Sequence, residues 1–155
     1  MTETRTLEAF SAKFRVEELK VVANRSWTWS VRPGQPTLGA GILSLNRHAG
    51  KFSDVTGEEM QDLSELIKTL EQAIEQAFDH NIMNYLMLMM VDHHVHYHVI
   101  PRYEGTRSFA GREWVDNGWP ALPVLADNQH QDDPGLLHLI QEKLRPGKEV
   151  PCSAI

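Results

Sequence analysis

Three histidines stand at alternate positions in the run His94-Val95-His96-Tyr97-His98-Val99-Ile100-Pro101-Arg102. Side chains of an extended strand alternate between its faces, so this spacing sets three imidazoles in one row, with Val95, Tyr97 and Val99 behind it. Imidazole moves protons near neutral pH, attacks electrophilic phosphorus and ligates metals, which makes the row a candidate active site with three readings. In the first, a neutral ring nitrogen of His96 attacks phosphorus while His94 and His98 orient it or stabilise charge on the phosphoryl oxygens. In the second, the three rings chelate zinc and leave a fourth position open for water. In the third, all three are packing residues with satisfied hydrogen bonds. A zinc site calls for carboxylates behind its ligands, and Asp92 is the nearest acid, so the pattern leans modestly toward nucleophile chemistry without settling the matter. The first reading also requires His96 to face a cleft able to admit its substrate.

A phosphate-bearing substrate would need cations concentrated locally, because the chain carries a net charge of −6. Arg102, four residues beyond His98, is the first candidate for a phosphate contact, and Arg107 and Arg112 follow it. Trp27 and Trp29 are aromatic candidates for stacking on a base, with burial in the core as the competing use. His48 and His93 read as surface or turn residues.

These groups must be positioned by a small set of elements. Residues 7 to 14 suit a short helix, Leu19 to Ala23 form an apolar stretch, and Ser26 to Val31 alternate as a half-buried strand. Pro33-Gly34-Gln35-Pro36 interrupts regular structure before Gly39-Ala40-Gly41 leads into a strand at Ile42-Leu43-Ser44-Leu45. Thr56-Gly57-Glu58-Glu59 fits a capping box, with Thr56 as N-cap. Behind it Met60, Leu63, Leu66, Ile67, Leu70, Ile74, Ala77 and Phe78 recur at helical spacing, predicting one long helix across a sheet. The nearly continuous apolar run from Asn84 to Val91 predicts a buried central strand. A two-residue turn at Asp92-His93 would set Met87 and Met89 opposite His98 and His96. Beyond Pro101 the chain reads as irregular until Asp133-Pro134-Gly135 opens a last helix containing Leu136, Leu137, Leu139, Ile140 and Leu144.

The 155 residues suit one domain with a substantial core of its own. With 41% hydrophobic and 23% charged residues, the chain is globular in composition. The acidic balance argues against general nucleic-acid binding. The longest wholly apolar run, Tyr85 to Val91, is too short to span a bilayer, and the charged first twenty residues lack a secretory apolar segment, so a cytoplasmic protein is expected. Cys152, the only cysteine, excludes an internal disulfide. Cys152-Ser153-Ala154-Ile155 has only the outline of a prenylation box and reads as an ordinary tail.

The histidine run, His-x-His-x-His followed by two apolar residues, resembles the defining motif of the histidine triad superfamily, and Pro101-Arg102 resembles the continuation seen in its fragile-histidine-triad branch. Ile42 to Ala49, followed by Phe52-Ser53-Asp54-Val55, resembles the family's strand, basic turn and lead into a long helix, with Gly39 ahead of it. The resemblance covers about residues 19 to 103. It implies an α+β domain, an antiparallel sheet of about five strands crossed by one long helix, with an irregular C-terminal extension over about 104 to 155. It further implies a nucleotide hydrolase or nucleotidyl transferase in which His96 forms a nucleotidyl-histidine and His94 and His98 support it. The expected substrate is a dinucleoside polyphosphate or a related nucleoside phosphoester or phosphoramidate, with Arg102, Arg32 and Trp29 as candidate substrate contacts. No protein-bound metal or other cofactor is expected, although a divalent metal can accompany a polyphosphate substrate. Homodimers joining two five-stranded sheets are implied as well. A zinc-dependent hydrolase and a non-catalytic nucleotide-binding module are the alternatives. Three features depart from the family pattern: Val91-Asp92-His93 replaces a longer Gly-rich connection, Gly39-Ala40 stands in place of the frequent Gly-His at the start of the earlier strand, and Arg32 stands where the ribose side usually offers Asn.

Overall fold

Thr56 starts the long helix as the sequence predicts. In the computed structural model, which describes residues 3–146, its hydroxyl accepts from the Glu59 amide while the Glu59 carboxylate accepts from the Thr56 amide. Arg47 grips the same carboxylate through Nε and Nη2, both at 2.8 Å, and holds the Glu59 carboxyl down at about 2. This basic turn therefore joins a strand end to a helix start.

The chain begins with two helices, α1 (Glu3–Phe14) and the short α2 (Val16–Leu19), ahead of strands β1 (Lys20–Ala23), β2 (Trp27–Val31) and β3 (Gly41–Leu45). The capped helix is α3 (Gly57–Phe78), and strands β4 (Ile82–Leu86) and β5 (His96–Arg102) follow it. The five strands form one antiparallel sheet in the order β1-β2-β3-β5-β4. Leu63, Leu66, Leu70, Ile74 and Phe78 of α3 are buried with Trp27, Trp29, Leu43, Leu45 and Val99 in the main core. Met60, counted in the stripe from sequence, is exposed.

The other sheet face carries the histidines. Thr28, Ser44 and His96 are aligned across β2, β3 and β5, as are Ser30, Ile42 and His98. All five residues of β2 are buried, not every second one, because α2 and α3 both pack against the strand. The half-buried reading of this strand is corrected accordingly.

The largest correction concerns the apolar run before the triad. It yields not a central strand but the edge strand β4, which ends at Leu86 opposite His98. Residues 87–95 leave the sheet, with Met90 and Val91 strongly exposed, so Met87 and Met89 do not pair with the histidines. Asp92-His93 lacks the glycine that the second position of a tight two-residue hairpin turn favours, and the chain takes a wide connection instead.

The region after Pro101 is more ordered than its composition suggests. Strands β6 (Arg107–Phe109) and β7 (Arg112–Trp114) form a hairpin around Ala110 and Gly111, both at positive φ. The last helix, α4 (Leu136–Leu144), forms as expected, and Trp114, Leu136, Ile140 and Leu144 complete the main core. The tail containing Cys152 lies outside the described residues.

Candidate active site

Each histidine is held in a defined tautomer by what faces its ring. A carbonyl only accepts, so the nitrogen facing one carries the proton. His96 Nδ1 lies 2.5 Å from the His94 carbonyl and donates to it, which leaves the lone pair on Nε2. That Nε2 is buried and has no hydrogen-bond partner. His94 donates through Nε2 to the Leu45 carbonyl at 2.7 Å, and its Nδ1 accepts from the Ala49 amide at 3.3 Å. His98 Nδ1 accepts from Arg32 Nε at 3.2 Å, so its proton sits on Nε2.

His94 precedes β5 itself. Its position is fixed because Val95 donates to Ala49 and accepts from Leu45, tying the run-up to the end of β3. The rings of His96 and His98 are 5.1 Å apart. Burial depresses the basicity of all three, bringing His94 and His98 down to about 4. The Arg32 charge adds to the effect at His98, and His48 adds to it at His94. The row is neutral at pH 7, as a nitrogen nucleophile requires.

Among the described residues no cleft opens onto His96, and the pocket between α1 and the pre-triad connection reaches only His94 of the row. Phe10 of α1 packs on His94 and His96 at 5.0 and 4.8 Å between ring centroids, and Phe14 packs on His96 and His98 at 5.8 and 6.0 Å. His94 and His96 are 0% exposed and His98 is 8% exposed. Lys13 reinforces the cover by reaching both carboxylate oxygens of Asp92 at 2.9 Å. Sequence reasoning missed Phe10 and Phe14. Their i, i+4 spacing marked an apolar helix face, but nothing in the pattern said which surface that face would meet.

Of the three candidate substrate contacts, the structure brings only Arg32 to the row. Its guanidinium also donates to the Gly34 carbonyl at 2.9 Å and to Asn128 Oδ1 at 3.4 Å. Arg102 is corrected: it lies about 13 Å along the strand from His98, paired through Nε and Nη2 with Asp116 at 2.7 and 3.1 Å and through Nη1 with Asn84. Trp29 is corrected as well. It projects from the opposite sheet face into the main core and is 0% exposed. Trp27 is also buried there, donating to the Glu59 carbonyl. Arg107 caps the carbonyls of Phe78 and Asp79, and Arg112 pairs with Asp133. His93 is exposed as expected, whereas half-buried His48 stacks on His94 at 5.7 Å.

Zinc held by all three rings does not fit this donor set, since both nitrogens of His94 are already engaged by backbone. Among the described residues, no group of three or more His, Cys, Asp and Glu is arranged to hold a metal ion. No helix there is long and apolar enough to cross a membrane.

Residues 41–105, which include β3, α3, β4, β5 and all three histidines, match the family model for the HIT domain. Solved structures share the fold across most of the chain. A hypothetical histidine triad nucleotide-binding protein from Sulfolobus tokodaii strain7 is 16% identical with a TM-score of 0.65, covering 91% of this chain and 89% of that one. A zinc-bound histidine triad family protein from Mycobacterium smegmatis is 14% identical with a TM-score of 0.57, at 88% and 91% coverage. A histidine triad protein from Marinobacter aquaeolei VT8 is 19% identical with a TM-score of 0.55, at 85% and 90% coverage. No curated protein matches. The sheet, the crossing helix and the row of rings at β5 thus define a histidine triad fold. The chain is similar to histidine triad (HIT) proteins, by its match to the HIT domain over residues 41–105 and by its fold over most of its length.

Proposed function

We propose that the chain is a nucleotide hydrolase or nucleotidyl transferase, nearest in type to the fragile-histidine-triad branch, working through a nucleotidyl-histidine on His96. The observation that carries this reading is the lone pair of His96 Nε2, buried, unpartnered and fixed in direction by the Nδ1 bond to the His94 carbonyl. Once α1 is displaced, Nε2 attacks the α-phosphorus of a dinucleoside polyphosphate or related phosphoester or phosphoramidate. The N–P bond forms as the bond from phosphorus to the leaving group breaks. His98 Nε2–H donates to the departing atom, and the positive charge of Arg32 is set against the phosphoryl oxygens. Water or an acceptor hydroxyl then attacks phosphorus and gives up its proton to solvent, and the electron pair of the N–P bond returns to Nε2. His94 touches no phosphate in this scheme; it positions His96 through its carbonyl and through its own two backbone bonds.

A divalent metal travels with a polyphosphate substrate and is not held by the protein. Zinc, bound by the Mycobacterium relative, would here have to displace the backbone partners of His94. The assembly we propose is a cytoplasmic homodimer formed through β4, an edge strand with exposed Ile82 and with Leu88, Met90 and Val91 close after it. The covered site favours one second reading, a nucleotide-binding module without turnover. A diadenosine polyphosphate labelled at the α-phosphate separates the two. The enzyme gives a labelled protein adduct that is acid-labile and base-stable, and His96→Ala abolishes it and lowers turnover by at least about 10³-fold. Retention of parental turnover by His96→Ala would rule the mechanism out, and binding without adduct or turnover would leave the module.

A further inference from the structure

The cover over the triad has the parts of a hinged gate. Phe10, Phe14, Val16 and Ile42 make a small apolar cluster separate from the main core, so α1 is held to the sheet by few groups. Arg15, between α1 and α2, adopts left-handed backbone with φ of 53°, a conformation that non-glycine residues rarely take. On its far side Val16 and Leu19 are buried, with Leu19 in the main core, so α2 stays anchored while the break at Arg15 frees α1 to turn. Lys13, itself half exposed, latches α1 to Asp92 in the connection that leads into the triad. Beneath the two phenyl rings lies an imidazole nitrogen with no polar partner. An apolar cover leaves that lone pair unsatisfied, whereas an incoming polar group would satisfy it.

We infer that α1 is an autoinhibitory cover that pivots at Arg15, latched by Lys13–Asp92, and that the reactive nitrogen of His96 becomes available only when Phe10 and Phe14 lift away. The Asp92 carboxylate and Lys13 are released from one another in the same movement, so the pre-triad connection and the cover open together. As regulation of the His96 site, the inference rests on the proposed function for its purpose, but its existence is tested without a nucleotide.

The test is carbethoxylation of the full chain by diethyl pyrocarbonate, mapped residue by residue by mass spectrometry, with exposed His138 on α4 as the internal standard. In the parent, His96 should react at least tenfold more slowly than His138. The Phe10→Ala, Phe14→Ala double variant should raise the His96 rate at least tenfold with His138 unchanged. Lys13→Ala, a substitution at an exposed position that removes the latch together with the ammonium's contact over the Phe14 ring, should raise it about two- to fivefold, as suits a surface ion pair. His96 reacting as fast as His138 in the parent, or equally slowly in the parent and in both variants, overturns the cover. If the double variant unfolds, as seen by loss of far-UV ellipticity, Lys13→Ala decides alone: a faster His96 supports the cover and an unchanged one overturns it. A protected His96 in a protein that never turns over a nucleotide leaves the cover standing and removes only the enzymatic reading.

Discussion

Arg32 is half-buried, and none of its partners among the described residues is an anion: it meets His98 Nδ1, the Gly34 carbonyl and Asn128 Oδ1. Burial without a carboxylate lowers its pKa and leaves its charge uncompensated. A phosphate arriving at His96 would supply the missing counter-charge, and the same guanidinium adds to the burial that keeps His98 neutral. Arg32→Ala should therefore act twice. Steady-state kinetics should show kcat/KM reduced by about tenfold or more, the equivalent of about 1.4 kcal/mol. The acidic limb of the kcat/KM pH profile should also move upward, toward the ordinary histidine value near 6.5, because a positive neighbour of His98 has gone. An unchanged limb would show that Arg32 does not set the charge state of the row. Arg102 was the more attractive arginine in the sequence because it follows the motif directly. Its use could not be read there, since its partner Asp116 lies on a loop whose path depends on the whole fold.

At the scale of elements, that pair explains how the C-terminal region is joined to the sheet. The side chains of Arg102 and Asp116 are 4% and 1% exposed, and Asp116 also accepts from the Tyr103 and Gly118 amides. Removing one member of such a pair leaves a buried charge without its partner. Asp116→Ala should thus cost about 3–5 kcal/mol in urea unfolding, while the hydrogen bonds that fix the triad, which lie at the other end of β5, are not touched. A loss below about 1 kcal/mol would mean that water reaches the guanidinium. The elements that the sequence made legible are those with local signals. The capping box and apolar stripe located α3, Gly41 and the following residues located β3, and alternation located the histidine row. The run from Tyr85 to Val91 misled because an apolar run reports burial only when the fold covers it, and here the chain leaves the sheet after Leu86. The cover was illegible for the same reason: Phe10 and Phe14 announce a buried face, and only the fold shows that it lies on the triad.

At the scale of the whole molecule, the site imposes a cost on stability that acid should expose. His94, His96 and His98 all have pKa values lowered by burial in the covered state, His94 and His98 to about 4, against 6.5 for an unhindered ring. Below pH 6.5 the unfolded chain binds protons that the folded chain refuses, so the folded state loses stability as pH falls from about 6.5 toward 4. At pH 5, each ring with a folded value of about 4 accounts for roughly 2 kcal/mol of that loss. Glu59 works in a lower window. Its carboxyl is held at about 2 by Arg47, so the stability it contributes is complete above 4.5 and disappears only as pH falls toward 2. Urea midpoints measured from pH 7 to pH 3 should therefore fall in two stages, the first from the triad with a share from His80, whose basicity burial also lowers, and the second including Glu59. Glu59→Gln should flatten only the second stage. In the Phe10→Ala, Phe14→Ala variant the rings meet water in the folded state, their pKa values return toward 6.5, and the first stage should shrink. If it keeps its full size in that variant, the depressed basicity of the row does not come from α1, and the rings are desolvated by the sheet alone.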